Sequence, residues 1–223
     1  MYLGTSGRES NLENDLLKTF SDVKLYVIIS SDLIKKPFEE VLHDVIEGGA
    51  DVIQLREKMM SDAEFLTIAH KARKATAQSK TIFIVNDRAE IARQADADGL
   101  HIGQSDIDIN TARKILGYNK IIGVSTHHIS QARKAQQSGA NYVGVGPVFP
   151  TATKGYEPSV GLDYLQQVKK EITIPFVAVG GIDLNNIRDV LHAGGRIIAV
   201  CSAIICSENI SEATRSFKDI LCA

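Results

Sequence analysis

Eight short apolar runs, spaced at regular intervals, constrain this sequence more than any other feature. They are Leu25–Ile29, Val52–Leu55, Ile82–Val85, Gly99–Ile102, Ile121–Val124, Tyr142–Val145, Phe176–Val179 and Ile197–Val200. Rich in Val and Ile and bounded by Gly or polar residues, they read as strands buried on both faces. The segments between them have helical spacing. Phe38, Val41, Leu42 and Val45 share one face of a helix that Gly48-Gly49 ends. Ser61 and Glu64 form a capping box ahead of Phe65, Ile68, Ala69 and Ala72. Asp183 stands where it can cap a helix carrying Ile187, Val190 and Leu191, stopped at Gly194-Gly195. Strictly alternating strands and helices predict an α/β chain folded as a (β/α)8 barrel, a TIM barrel, with a doubly wound open sheet as the alternative. No linker or low-complexity tract interrupts the pattern, so residues 23–223 are expected to form one barrel domain. Residues 1–22 are expected to be a partly helical N-terminal extension, with residues 11–21 closing the bottom of the barrel.

Composition removes several functions. With 25 Lys+Arg against 27 Asp+Glu, the formal net charge is −2, so the chain lacks the cation excess that nucleic-acid binding requires. No run approaches the roughly 18 apolar residues that span a bilayer, and the polar start of the chain lacks a signal-peptide core. Cys201, Cys206 and Cys222 are an odd number without a Cys-x-x-Cys pair, which argues for reduced thiols and against zinc. A cytoplasmic protein with small-molecule partners is the expectation, self-association into a homo-oligomer being left open.

A barrel of this kind builds its ligand site at the carboxyl ends of the strands, and polar residues gather there. Gln54, Arg56 and Lys58 alternate along one side of an extended segment, so two cations follow Gln54 to the mouth as an anchor for an anion. Glu57 points the other way and reads as structural. Asp87 and Asp106 follow neighbouring strands; alone each reads as a cap, and together they can converge on one Mg2+. The loop after the sixth strand combines Gly144, Gly146, Pro147 and Pro150 with Thr151, Thr153 and Lys154, and its Gly-x-Gly is no dinucleotide fingerprint. Gly180-Gly181 and Ser202 stand where such barrels bind monophosphates. Cys201 lacks a base partner and reads as a small apolar residue; His127 and His128 could titrate near the site, though solvated loop histidines are the commoner case, and His101 reads as a satisfied core residue.

These residues, in this order, resemble the thiamine-phosphate synthase (thiamine-phosphate pyrophosphorylase) family. The resemblance runs from Lys24 to Ile205, through Gly49–Lys58, Val85-Asn86-Asp87, Ala97–Asp106, Gly123-Val124-Ser125, Val143–Lys154, Val177–Ile182 and Ala199–Ile204. It implies a transferase of thiamine biosynthesis that joins a hydroxymethylpyrimidine diphosphate to a thiazole phosphate, releasing pyrophosphate. By motif, Gln54, Arg56, Lys58, Asn86, Ser125 and Lys154 would hold the pyrimidine diphosphate, with Arg56, Lys58, Lys154 and Ser125 as the catalytic set. Asp87 and Asp106 would hold Mg2+. Thr151, Ala152 and Thr153 would meet the thiazole, and Gly181, Cys201 and Ser202 its phosphate. The chain departs from the family at Cys201, commonly Val or Ile, at Gly195-Arg196-Ile197 and at Asp108, a frequent Pro. The nearest rival is the thiazole tautomerase of the same fold, which needs no complete set of these residues. A precursor-binding sensor without catalysis is the rival from another class.

Overall fold

The computed structural model describes residues 20, 22–151 and 158–223. Parallel strands β1 (Leu25–Ile29), β2 (Val52–Leu55), β3 (Ile82–Asn86), β4 (Gly99–Ile102), β5 (Ile121–Thr126), β6 (Tyr142–Val145), β7 (Phe176–Val179) and β8 (Ile197–Val200) close into a barrel in chain order. β8 returns to pair with β1, placing Ala199 opposite Tyr26. This is the TIM barrel that the alternation predicts. Two strands run past their apolar segments: β3 continues to Asn86, and β5 through Ser125 to Thr126. The added residues are polar, so hydrophobicity alone does not mark them.

Helices α1 (Phe38–Glu47), α2 (Asp62–Thr76), α3 (Ala89–Gln94), α4 (Ile109–Leu116), α5 (Ile129–Gln137), α6 (Gly161–Glu171), α7 (Ile187–His192), α8 (Ser202–Ile205) and α9 (Ile210–Cys222) complete the described elements. α2 opens on its capping box, with the Ser61 N–H donating to the Glu64 carboxylate at 3.0 Å. Asp183 does not cap α7. Its carboxylate accepts from the Asn185 and Asn186 N–H groups at 2.8 and 3.1 Å, closing an Asx turn one step before the helix, and Asn186 is the N-cap.

Strand alternation sorts the core into two layers. Outward residues such as Val27, Ile53, Phe83 and Val143 pack beneath the helices, while Tyr26, Val52, Ile84, Ile121, Tyr142 and Val177 fill the barrel. The Tyr142 ring lies where Gly123 lacks a side chain: a Cβ there would come within 2.0 Å of the ring. Phe20 stacks on Tyr142 from below, centroids 4.7 Å apart. Its burial contributes about 2–3 kcal/mol. Of the extension expected over 1–22, Phe20, which is helical, and Asp22 are the described residues; the rest lies outside them.

Candidate active site

The polar residues that the sequence scatters do meet at the carboxyl rim. β2 carries Gln54 inward, fully buried, and the chain then brings Arg56 and Lys58 to the mouth. Glu57, between them, turns away as expected: its carboxylate accepts from the Ser31 N–H at 2.8 Å and the Ser31 hydroxyl at 2.7 Å, tying the β1–α1 loop to β2. Burial raises the Glu57 pKa against these bonds. Arg56 Nε is buried with no hydrogen-bond partner among the described residues. Such an orphan donor costs about 1–3 kcal/mol, which a bound anion would recover.

Asp87 and Asp106 converge from β3 and β4 until their carboxyls hydrogen-bond to each other, and Lys58 donates to Asp87. Asp87 takes a left-handed conformation, φ 63°, and its N–H donates to the His101 carbonyl at 2.8 Å. Aspartate tolerates that conformation better than most residues. Burial, then the Asp106 bond, pushes the Asp87 carboxyl up from its ordinary range. Burial works against Asp106 too, but the bond from Asp87 and the Gly103 N–H at 2.7 Å hold its carboxyl low. Two oxygen-only ligands brought this close crowd negative charge that a hard divalent cation would relieve, so the donor set fits Mg2+ with substrate phosphates completing its shell.

Arg88 sets the geometry of this corner. Its guanidinium donates to the Glu57 and Met60 carbonyls at 3.2 and 2.6 Å and to Asp62 at 2.8 Å, and lies over the Phe65 ring. These carbonyls bracket Lys58. Arg88 was not singled out by the sequence; a lone Arg beside Asp87, with Phe65 to stack on, was the available signal.

Two cavities open here and share a wall. A polar one of about 380 Å³ is lined by Lys58, Asn86, Asp87 and Asp106. An apolar one of about 570 Å³ is lined by Ile28, Leu33, Val179, Ala199 and Thr151, and ends on Gly180, Gly181, Cys201 and Ser202. Arg56, Ser125 and His127 line both. The glycine turn is closely packed: at Gly181, φ +64°, a Cβ would stand 2.6 Å from the Pro150 carbonyl oxygen. The loop after β6 runs beside it, the Phe149 N–H donating to the Gly180 carbonyl at 3.0 Å. Burial pushes the Cys201 thiol up to about 12, which suits an inert wall residue.

The thiamine monophosphate synthase family profile matches residues 25–204. The chain is 43% identical over 198 residues to the thiamine-phosphate synthase of Alkaliphilus oremlandii, covering 88% of this chain and 95% of that one. It is 40% identical over 211 residues to that of Methanosarcina mazei, covering 94% and 86%. It also superposes on the solved thiamine phosphate pyrophosphorylase from Pyrococcus furiosus with a TM-score of 0.82 at 37% identity, over 89% of this chain and 95% of that one. The chain belongs to the thiamine monophosphate synthase family. It is an enzyme, a transferase of thiamine biosynthesis.

Seen as a thiamine monophosphate synthase, the molecule brings Arg56, Lys58, Asn86, Ser125, Asp87 and Asp106 to one rim, with Thr151, Gly181, Cys201 and Ser202 in the adjoining cavity. Gln54 lies two residues deeper on its strand, its Nε2 donating to Tyr26 at 2.7 Å. Ala152, Thr153 and Lys154 lie outside the described residues. Of the two readings of His127, the structure favours the one near the site: it lines both cavities, and its Nδ1 donates to the Gly146 carbonyl at 2.7 Å. His128 is exposed and pairs with Ser130. Among the described residues no helix is long and apolar enough to cross a membrane.

Proposed function

We propose that this chain condenses 4-amino-2-methyl-5-(diphosphooxymethyl)pyrimidine with 4-methyl-5-(2-phosphoethyl)thiazole, or with its 2-carboxy form, which also loses CO2 and gains a proton at C2, to give thiamine monophosphate and pyrophosphate. The observation that carries this reading is the junction of a charged and an apolar cavity at Arg56, Ser125 and His127. A diphosphate in the first and a heteroaromatic monophosphate in the second would abut there, carbon to nitrogen.

The chemistry is a dissociative substitution. The C–O bond breaks, pyrophosphate leaves with the electron pair, and the thiazole nitrogen closes a C–N bond on the pyrimidinylmethyl cation. Asp87 and Asp106 are the residues that would hold Mg2+, whose part when bound is Lewis-acid neutralisation of the leaving diphosphate. Arg56, Lys58 and Lys154 pair the charge that grows on the leaving oxygens, and Arg56 Nε gains the acceptor it otherwise lacks. Asn86 and Ser125 add neutral donors, and Gln54 supports the pyrimidine from below. Thr151, Ala152 and Thr153 would meet the thiazole, while Gly181, Cys201 and Ser202 would take its phosphate. Ile28, Val179 and Ala199 form an apolar wall that excludes the water which would quench the cation, and the enclosure holds nitrogen near carbon. No enzyme nucleophile is required.

The test is to incubate both substrates with Mg2+ and follow pyrophosphate release. Release that depends on the thiazole partner supports the reaction. Isomerisation of the thiazole without pyrophosphate, or binding without turnover, overturns it in favour of a tautomerase or a sensor.

A further inference from the structure

Gln54 and Ser125 are the two ends of one hydrogen-bond chain across the barrel interior. Gln54 Nε2 donates to the Tyr26 hydroxyl at 2.7 Å, and that hydroxyl lies 3.0 Å from the hydroxyl of Tyr142. The Tyr142 hydroxyl lies 2.8 Å from His101 Nδ1, and His101 Nε2 lies 2.8 Å from Ser125 Oγ. All five residues are buried.

Counting protons orients the chain. An amide nitrogen only donates, so Tyr26 accepts from Gln54 and has its own hydrogen to give, with Tyr142 next in line. Tyr142 in turn donates to His101 Nδ1. An imidazole that accepts at Nδ1 carries its hydrogen on Nε2, which donates to Ser125. The Ser125 hydroxyl hydrogen is then committed outward, toward a ligand oxygen in the cavity. The opposite polarity would require the Gln54 amide oxygen, in place of its nitrogen, at the Tyr26 hydroxyl. Burial raises both tyrosine hydroxyls above their ordinary range, so neither sheds the proton on which the count depends.

We propose that His101 and Tyr142 are positioning residues, which hold Ser125 as a hydrogen-bond donor to the leaving diphosphate through a neutral His101 protonated on Nε2. A serine hydroxyl is by nature either donor or acceptor, and the chain removes that choice before substrate arrives. The proposal rests on the reaction assigned above and adds the relay behind one of its contacts.

The primary test is the 15N spectrum of histidine-labelled wild-type protein, with the His101 signals identified by their loss in His101→Asn. The expected result is a proton on Nε2 and none on Nδ1; a proton on Nδ1, alone or with one on Nε2, overturns the relay. The second test is Tyr142→Phe, which keeps the ring that stacks on Phe20 and removes the donor. It should lower kcat/KM for the pyrimidine diphosphate about tenfold, and less than about twofold in a Ser125→Ala background. Equal losses in the two backgrounds overturn the link to Ser125. Should Tyr142→Phe fail to fold, the wild-type spectrum decides. That spectrum needs no substrate, so failure of the pyrophosphate assay would bear on the reaction alone.

Discussion

The carboxyls of Asp87 and Asp106 hydrogen-bond to each other where β3 and β4 end, within reach of Lys58. Two carboxyls in contact repel when both are ionised, and a divalent cation held between them removes that repulsion. Asp106→Ala is therefore expected to lower turnover about 100-fold or more at saturating Mg2+, as loss of one transition-state contact does, and Lys154→Ala likewise. Mg2+ should raise the Tm of the wild type and leave that of Asp106→Ala unchanged. Near-normal turnover in Asp106→Ala would falsify the metal assignment.

Asp87 itself gives a stability prediction of opposite sign to its catalytic one. Its carboxyl is pushed up, chiefly by burial, so in the metal-free fold its ionisation costs stability as pH rises through the raised pKa. Asparagine cannot ionise, and it tolerates the left-handed backbone that Asp87 adopts. Asp87→Asn should accordingly raise the metal-free Tm at neutral pH while abolishing both turnover and the Mg2+-dependent shift. Thermal melts with and without EDTA check this; a lower metal-free Tm for the variant would refute it.

Arg88 acts on Lys58 from outside the cavity. By holding the Glu57 and Met60 carbonyls it fixes both ends of the turn that carries the lysine. Arg88→Met should cost about 10- to 100-fold in kcat/KM, since small misplacements of a charged contact are expensive. Arg88→Lys should recover little, because an ammonium cannot span three acceptors as the guanidinium fork does. Normal kinetics in both variants would show that the turn holds itself.

The barrel was legible in the sequence because strands buried on both faces leave continuous Val/Ile runs, and these end within a residue or two of the observed strands. What hydrophobicity could not mark were Asn86, Ser125 and Thr126, polar residues kept in the strand ladder at the mouth. The rim itself was legible because alternation by two fixes the side on which Arg56 and Lys58 emerge. The convergence of Asp87 and Asp106 was legible from their places after neighbouring strands, whereas the positive φ that Asp87 adopts there was not, since no pattern of residue types encodes it. Arg88 and the Tyr142–His101 relay were missed for a related reason: each is defined by partners distant in sequence, and buried tyrosines look like ordinary core until their hydroxyls are traced.

Cys201 separates burial from reactivity. Its thiol is pushed up to about 12 by burial, so at pH 8 roughly one part in ten thousand is thiolate. Cys206 and Cys222 are exposed. Brief iodoacetamide treatment at pH 8 should label Cys206 and Cys222 and spare Cys201, as read by peptide mass spectrometry. Labelling of Cys201 at a comparable rate would mean that its surroundings open far more than the packed site suggests.

Gly181 tests the division of the site into two halves. Its φ of +64° disfavours any side chain, and an added Cβ would meet the Pro150 carbonyl oxygen at 2.6 Å and Phe149 Cβ at 2.8 Å. Gly181→Ala must therefore shift the turn or the neighbouring loop, at a cost of about 1–3 kcal/mol. The displaced backbone belongs to the apolar cavity, whereas Lys58, Asp87 and Asp106 lie on the other side of Arg56 and Ser125. The expected kinetic signature is a KM for the thiazole phosphate raised about tenfold or more, with the KM for the pyrimidine diphosphate within about twofold of wild type. An equal rise in both constants would mean that the two cavities respond as one unit, and the assignment of a separate thiazole-phosphate pocket to the Gly180-Gly181 turn would fail.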